Sequence, residues 1–346
     1  MKKKKLLILI SIALGLAVLA GGACVYVAVK KPFRTGDLTG TAQLHSIVDR
    51  PVPSLPVRDS GNFVILQFTD THLTGTKGKD AKTLAAMEQL LLSHAPDLVV
   101  IAGDLTGSFG KKMFADKRGA LDAAAALFER HGQYWAYVPG EDDGEALGTS
   151  ADVAAWLGLT YPHCILSNEA ELTGAVQYVI PLLDGEGVAV HALVFLDSLA
   201  RDPETNDLTY DCMKKDQADW LRESLRALGG VKASVFFHMN TPAFTQAKQG
   251  EPYKEDYAMI DFPDSRLIRG NEIIDKAMAA AGNVGLVSIG HLHPAGNRCA
   301  FWEGTYYHIA RASGYRAASK PGAALITIHT YDGSPRRMYD FAEIVF

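Results

Sequence analysis

The stretch Gly61-Asn62-Phe63-Val64-Ile65-Leu66-Gln67-Phe68-Thr69-Asp70-Thr71-His72 decides the fold. Phe63, Val64, Ile65, Leu66 and Phe68 are apolar, and four of them are β-branched or aromatic. Such a run predicts a buried strand. It stops at a carboxylate and an imidazole two residues apart, Asp70 and His72. In α/β proteins, sites gather at the edge of a sheet where strands end. One Asp-x-His pair is also what an ordinary polar loop carries, so its weight depends on the rest of the chain.

The pattern recurs. Residues 97–102 read as a second strand, followed by Gly103-Asp104. Residues 134–138 read as a third, followed by Pro139-Gly140-Glu141-Asp142-Asp143. Residues 231–237 lead into His238, and residues 284–289 into Gly290-His291-Leu292-His293. Gly103, Gly140 and Gly290 stand where the backbone has to turn or approach the site closely. Helical spacing marks residues 82–94, 116–130 and 214–228, and a short helix is predicted from Ser150 to Trp156 with Ser150 as its cap. Residues 272–281 read as another helix and 241–271 as a long loop. Strands are also predicted over 177–182, 188–196, 305–309, 323–330 and 338–345. Helices and strands alternate throughout, so the class is α/β. Carboxylates and imidazoles without a thiolate suit Mn, Fe or Zn in a two-metal site.

In their order, Asp70-x-His72, Gly103-Asp104, Gly140-Glu141-Asp142-Asp143, His238 and Gly290-His291-x-His293 resemble the motifs of the calcineurin-like metallophosphoesterase superfamily. The resemblance runs from about residue 62 to 346. Tyr210-Asp211 with Gln217 and Trp220, Phe236-Phe237-His238, and Arg311-Ala312-Ser313-Gly314-Tyr315 are similar to a purple-acid-phosphatase-like branch. It implies a four-layer α/β/β/α sandwich with two divalent or trivalent metal ions at one end. By position, Asp70, His72 and His293 bind the first ion, His238 and His291 the second, and Asp104 bridges. A bridging hydroxide attacks a phosphate-ester substrate in line, and the two metals clamp the phosphoryl oxygens.

The third motif departs from the family. Glu141 stands where a ligating Asn is expected, and Asp142 where a His is expected; only Asp143 fits. The carboxylates of Asp70, Asp104, Glu141 and Asp142 together balance the charge of two divalent ions. Attraction for a phosphate dianion falls, and an Asp beside two cations stays ionised and is a poor proton donor. Two readings follow. In one, a working phosphohydrolase uses Glu141 as a longer-armed ligand, with Asp142 and Asp104 as catalytic candidates. In the other, catalysis is weakened or lost and the domain is a binding module. Arg311 is a candidate for bidentate phosphate contact, with a salt bridge as the alternative. Asn240 is a candidate lining residue, with a turn role as the alternative.

Residues 1–34 hold seven of the 34 basic residues and none of the 39 acidic ones, so the rest of the chain is net acidic by about 12 charges. That balance does not favour a polyanion-binding track, so no nucleic acid is expected as partner. Lysines at 2–5 precede an uncharged run over 6–29, long enough to span a hydrocarbon core. The basic flank predicts an N-terminus inside and the domain outside the cytoplasm. A cleaved signal segment, or a lipid anchor at Cys24, places the domain on the same side. Residues 35–60 read as a linker or lead-in strand and 61–346 as the domain. Cys164, Cys212 and Cys299 resemble neither a zinc cluster nor a disulfide framework, and read as packed thiols with at most one bridge. Nothing in the sequence sets the oligomeric state.

Overall fold

Asn62–Phe68 forms the strand that its composition predicts, and the chain builds outward from it. The structure is a computed structural model that describes residues 47–346 except 49, 108–115, 170–171, 201–209, 255–259, 263–267 and 269. The segment expected to be an anchor or signal, 1–34, lies outside the described residues. Among the described residues, no helix is long and apolar enough to cross a membrane.

The strands in chain order are β1 (Leu55–Pro56), β2 (Asn62–Phe68), β3 (Leu98–Ala102), β4 (Trp135–Val138), β5 (Cys164–Ile165), β6 (Gln177–Leu183), β7 (Ala189–Leu196), β8 (Ala233–Phe236), β9 (Glu251–Pro252), β10 (Val284–Ile289), β11 (Arg298–Trp302), β12 (Thr305–Ile309), β13 (Gly322–His329) and β14 (Tyr339–Val345). The helices are α1 (Lys79–His94), α2 (Lys117–Glu129), α3 (Ser150–Thr160), α4 (Lys215–Ala227), α5 (Ala243–Ala247) and α6 (Glu272–Ala281). They make a mixed α/β sandwich of two sheets. One has the order β14-β13-β2-β3-β4-β5, the other β1-β6-β7-β8-β10-β12-β11-β9.

Strands β2, β3 and β4 are parallel, with Ile65 opposite Leu98 and Val99 opposite Trp135. Strands β7, β8, β10 and β12 are parallel too. Parallel strands end at a common edge, so the residues after β2, β3 and β4 emerge side by side, as do those after β8 and β10. All five residues of β3 are buried, as a parallel strand covered on both faces requires. Alternation along β7 shows how its sheet divides its two faces. Ala192, Val194 and Leu196 pack with Leu221 and Leu225 of α4 and Ile274 and Met278 of α6. Leu193 and Phe195 join the cluster built on β2, β3 and β4.

Polar chains cross between the sheets. Ser288 Oγ donates to Gln67 Oε1 at 2.6 Å and lies 2.8 Å from His308 Nδ1. A serine has one proton, so the His308 Nδ1–H is the donor to Ser288. Ser234 Oγ donates to Tyr339 Oη at 3.1 Å, which makes His191 Nε2, 2.9 Å away, the donor to Ser234. Tyr178 Oη donates to the Tyr137 carbonyl and accepts from the Tyr137 amide.

Some local expectations change. Thr149, not Ser150, caps α3: its hydroxyl accepts from the Asp152 amide while Asp152 accepts from the Thr149 amide. That helix continues past Trp156 to Thr160. The stretch 241–271, expected as a loop, contains α5 and β9, and β11 has no counterpart in the sequence reading. Within 35–60, Ile47 is buried and β1 pairs with β6. Cys164, Cys212 and Cys299 are free thiols, the first and last buried.

Burial pushes the imidazoles of both His191 and His308 down to about 3 from 6.5. The unfolded chain therefore takes up these protons first as pH falls. Stability that is fully present above pH 6.5 is expected to drain between 6.5 and 3, with a slope of about 1.4 kcal/mol per pH unit for each histidine. Urea unfolding across that range tests this: His191→Gln and His308→Asn, which keep the donor to serine, should each flatten the slope by that amount.

Candidate metal centre

The residues after five strands converge. Asp70 and His72 follow β2, Asp104 follows β3, Glu141 and Asp142 follow β4, His238 follows β8, and His291 and His293 follow β10. The backbone there is bent to the purpose. Eight described non-glycine residues have positive φ, and five are in this set: Asp70 (51°), His72 (45°), Asp104 (51°), His291 (66°) and His293 (45°). Each such residue costs on the order of 1–3 kcal/mol and persists only where its surroundings impose it. Here the Asp70 amide bonds to the Gly103 carbonyl and the His72 amide to the Asp104 carbonyl, both at 3.0 Å. The turns after β2 and β3 therefore brace each other.

Gly103 and Gly290 serve close approach. A Cβ on Gly103 falls 2.3 Å from His238 Nδ1, and one on Gly290 falls 1.9 Å from Thr69 Oγ1 and 2.7 Å from Asp70 Oδ2. Gly140, the third glycine singled out in the sequence, packs against Asp104 in the same way.

Two triads flank one shared carboxylate. In the first, His293 Nε2 lies 2.9 Å from Asp70 Oδ1 and 3.1 Å from His72 Nε2. In the second, Glu141 Oε2 lies 2.8 Å from His238 Nε2, and Glu141 Oε1 lies 2.9 Å from His291 Nδ1. Asp104 Oδ2 is 3.6 Å from both His72 Nε2 and His238 Nε2. Ligand atoms held about 2.0–2.1 Å from one ion sit roughly 3.3 Å apart in a tetrahedron; within the triads the separations run from 2.8 to 3.9 Å, the longest from His72 Nε2 to Asp70 Oδ1. Two groups of possible ligand atoms correspond to these triads, and two more link Asp104 to His238 with Asp70 and to His72 with Asp142.

The donor chemistry fits metal ions. Glu141 Oε2, His238 Nε2 and both nitrogens of His291 are buried without a hydrogen-bond partner, although the Glu141 oxygens are within 3 Å of imidazole nitrogens. These atoms point toward common centres and not along bonds to each other. His238 Nδ1 sits 2.7 Å from the Ala102 carbonyl, which fixes its proton there and turns the Nε2 lone pair inward.

Charge agrees. Burial raises the Asp70 pKa, but His293, His238 and His72 outweigh it and hold the carboxyl below its usual range. Burial also raises Glu141, yet His291 and His238 bring it well below normal. Burial, then the Glu141 charge, pushes Asp104 well above normal. Burial lowers His238, and Asp104 and Glu141 reverse this to hold it well above. Burial pushes His72 down to about 4. The centre packs three buried carboxylates, with Asp142 beside them, among four imidazoles, a donor set of the kind that divalent cations bind.

The rest of the third motif lies alongside. The Asp142 amide donates to Asp104 Oδ1 at 2.9 Å, and Asp142 Oδ2 lies 3.7 Å from His72 Nδ1. Asp143 is a brace: its two oxygens accept from the Thr106 and Gly140 amides. Arg311 does not reach the centre's ligand groups. Its guanidinium is paired with Glu343 of β14 and the Lys320 carbonyl, the salt-bridge alternative raised by the sequence. Asn240, two residues past His238, is wholly buried; its main-chain carbonyl accepts from Asn271 Nδ2, and both polar atoms of its side chain lack a hydrogen-bond partner.

Sequence reasoning missed Thr69 and Gly107. Thr69 Oγ1 donates within 2.8 Å of Asp70 Oδ2 and of the Ala102 carbonyl. Gly107 leaves room for His72 Nδ1, 2.2 Å from where its Cβ falls. A polar residue just before Asp70 was a legible signal for the first; only the folded chain shows the second. Tyr210, noted in the sequence, sets its ring at 89° to that of His291, with centroids 5.1 Å apart.

A family model described as calcineurin-like phosphoesterase matches residues 63–295. No curated protein matches the chain. Similar solved structures include TT1561 of Thermus thermophilus, 12% identical, covering 81% of this chain and 98% of that one, with a TM-score of 0.43. Another is GAP50, the anchor in the inner membrane complex of Plasmodium, 10% identical over 82% and 89%, at 0.47. A third is an archaeal phosphodiesterase, 11% identical over 82% and 100%, at 0.39.

Gly290→Ala forces its Cβ onto Thr69 and Asp70. It is expected to cost about 1–3 kcal/mol in urea unfolding and to lower metal retention measured by elemental analysis. Unchanged stability and metal content would show that the β10 turn has slack.

Proposed function

This chain belongs to the calcineurin-like phosphoesterase family, and we propose that it is a phosphoric ester hydrolase with a two-metal centre. The observation that carries the reading is the pair of carboxylate–imidazole–imidazole triads, Asp70/His72/His293 and Glu141/His238/His291, set about Asp104. In this proposal each triad holds one ion and Asp104 is shared. Bound there, the ions supply Lewis-acid charge that activates water and stabilises negative charge on the phosphoryl group.

The chain's own residues do the positioning. The Ala102 carbonyl holds the His238 proton away from the centre. The Asp70 carboxylate accepts from the His291 amide at 3.0 Å, which ties the β2 turn to the β10 turn. Asp142, whose Oδ2 lies 3.7 Å from His72 Nδ1, is the group proposed to orient a water. Arg311 and Asn240 have no part in the proposal, for the reasons of pairing and burial given above. The finer assignments to a four-layer α/β/β/α sandwich and to a purple-acid-phosphatase-like branch rest on the motifs. The proposed location is outside the cytoplasm, and its support is the basic cluster at 2–5 before the apolar run at 6–29.

A second reading stays in play on one observation: a carboxylate, Asp142, occupies the place of an expected imidazole. In that reading the centre binds metal and anions without turnover.

The test is metal content of the purified full chain, followed by hydrolysis of an aryl phosphate monoester and diester. Two ions per chain with turnover of at least one ester are expected. Asp104→Asn should then lose more than the roughly 10–100-fold typical of changes outside the ligand shell. Two bound ions with no turnover of either ester would refute the hydrolase and leave the binding module.

A further inference from the structure

We infer that Glu141 is a specificity-determining residue that moves the centre's preference from doubly charged phosphomonoesters toward singly charged phosphodiesters. The inference rests on the hydrolase reading above and names its substrate class.

The Glu141 carboxylate is 8% exposed and reaches both imidazoles of its triad, at 2.8 and 2.9 Å. Oε2 has no hydrogen-bond partner, and neither has the His238 nitrogen nor the His291 nitrogen beside it. The carboxylate therefore sits between the two imidazoles, one oxygen to each, within the centre. Its place is set by Gly140, whose absent Cβ lets the turn pack on Asp104: a Cβ there falls 2.2 Å from Asp104 Oδ1.

The charge count follows. The ligand carboxylates Asp70, Asp104 and Glu141 supply three negative charges against two divalent ions, so the ligand shell itself keeps one positive charge, enough to match a monoanion and one short of a dianion. Asp142, outside both triads and 3.7 Å from His72 Nδ1, adds a fourth negative charge at longer range and disfavours a dianion further. A neutral amide at 141 leaves the ligand shell two positive charges. In a buried centre an unmatched charge on the ligand keeps its desolvation cost, and each added unit of charge at this range acts about twice as strongly on a dianion.

The reaction has a matching direction. Water adds its oxygen to phosphorus, the bond from phosphorus to one ester oxygen breaks, and that oxygen leaves as an alcohol carrying a proton from the water. The remaining phosphomonoester releases its second proton to solvent and becomes a dianion. Substrate fits the centre's charge and product exceeds it, so the reaction stops after one bond.

The experiment uses the full chain loaded with Mn(II), with bound metal counted. Calorimetric titrations compare phenylphosphonate, as its dianion, with the monoanion of its monomethyl ester. Glu141→Gln is expected to shift the affinity ratio about tenfold toward the dianion, whereas Glu141→Asp, which keeps the charge, leaves the ratio near that of the parent. Bis(4-nitrophenyl) phosphate is expected to release one equivalent of nitrophenol and no inorganic phosphate. An unchanged ratio in Glu141→Gln with both ions retained, or release of inorganic phosphate from the diester, overturns the inference. If Glu141→Gln loses an ion, the parent decides: equal or tighter binding of the ester monoanion supports the inference, and a preference for the dianion overturns it. Charge selection without any turnover would refute the hydrolase reading and leave the role of Glu141 standing.

Discussion

Buried negative charge is the constraint on which this molecule turns. Asp70 and Asp104 are sealed from solvent, and the Glu141 side chain nearly so, within reach of the same imidazoles. Isolated carboxylates do not survive such burial; they stay buried only where positive charge or protons compensate them. His238 and His293, held above the ordinary imidazole value by these carboxylates, are compensating groups in the protein itself. Much of the local backbone is subordinate to this demand. Positive φ at five of these residues has no rationale in strand or helix formation, and a clear one in aiming ligands at shared centres.

What makes the demand affordable is the sandwich. Apolar alternation on β7, continuous burial on β3, and the polar chains through Ser288 and Ser234 fix the two sheets against each other. Because β2, β3 and β4 are parallel to one another, as β8 is to β10, each sheet delivers its ligands together. A single out-of-register strand would remove a whole motif, because a shift of one residue reverses every side chain. The precision of the centre is therefore inherited from ordinary hydrophobic registration and then tightened by close glycine contacts at its rim.

The features legible in the sequence share one property: they are local. The strand at 62–68, the helices near 79–94 and 272–281, and the ligand pairs at their ends follow from composition and spacing within a few residues. The illegible features depend on what is far away along the chain. Arg311 follows a strand, as a phosphate contact could, but Glu343 on β14 takes its guanidinium. Asn240 follows His238 closely, yet neighbouring elements bury it. Strand β11 exists because β12 pairs with it, with Cys299 opposite His308. Thr149 outcompetes Ser150 as cap only because Asp152 answers it at the right offset.

Glu141 and Asp142 sit between these cases. Their departure from the pattern that the resemblance implies was an expectation of the sequence, in which loss of a ligand and replacement of a ligand read alike. The geometry bears on Glu141. A carboxylate with no place in the centre would be expected to swing toward solvent, where hydration is cheap. Glu141 instead turns both oxygens toward His238 and His291 and accepts burial. Holding an anion there against its hydration requires compensation of comparable size, and the two imidazoles offer it only when charged or when a cation stands between. For Asp142 the contact is looser, 3.7 Å to His72 Nδ1, and its backbone amide, not its carboxylate, is what braces Asp104. The bracing at 140–143 thus runs through backbone amides, of Gly140 to Asp143 and of Asp142 to Asp104, and does not depend on the charge of the side chains at 141 and 142. That division lets the shape of the centre stand apart from the charge those two side chains bring to it.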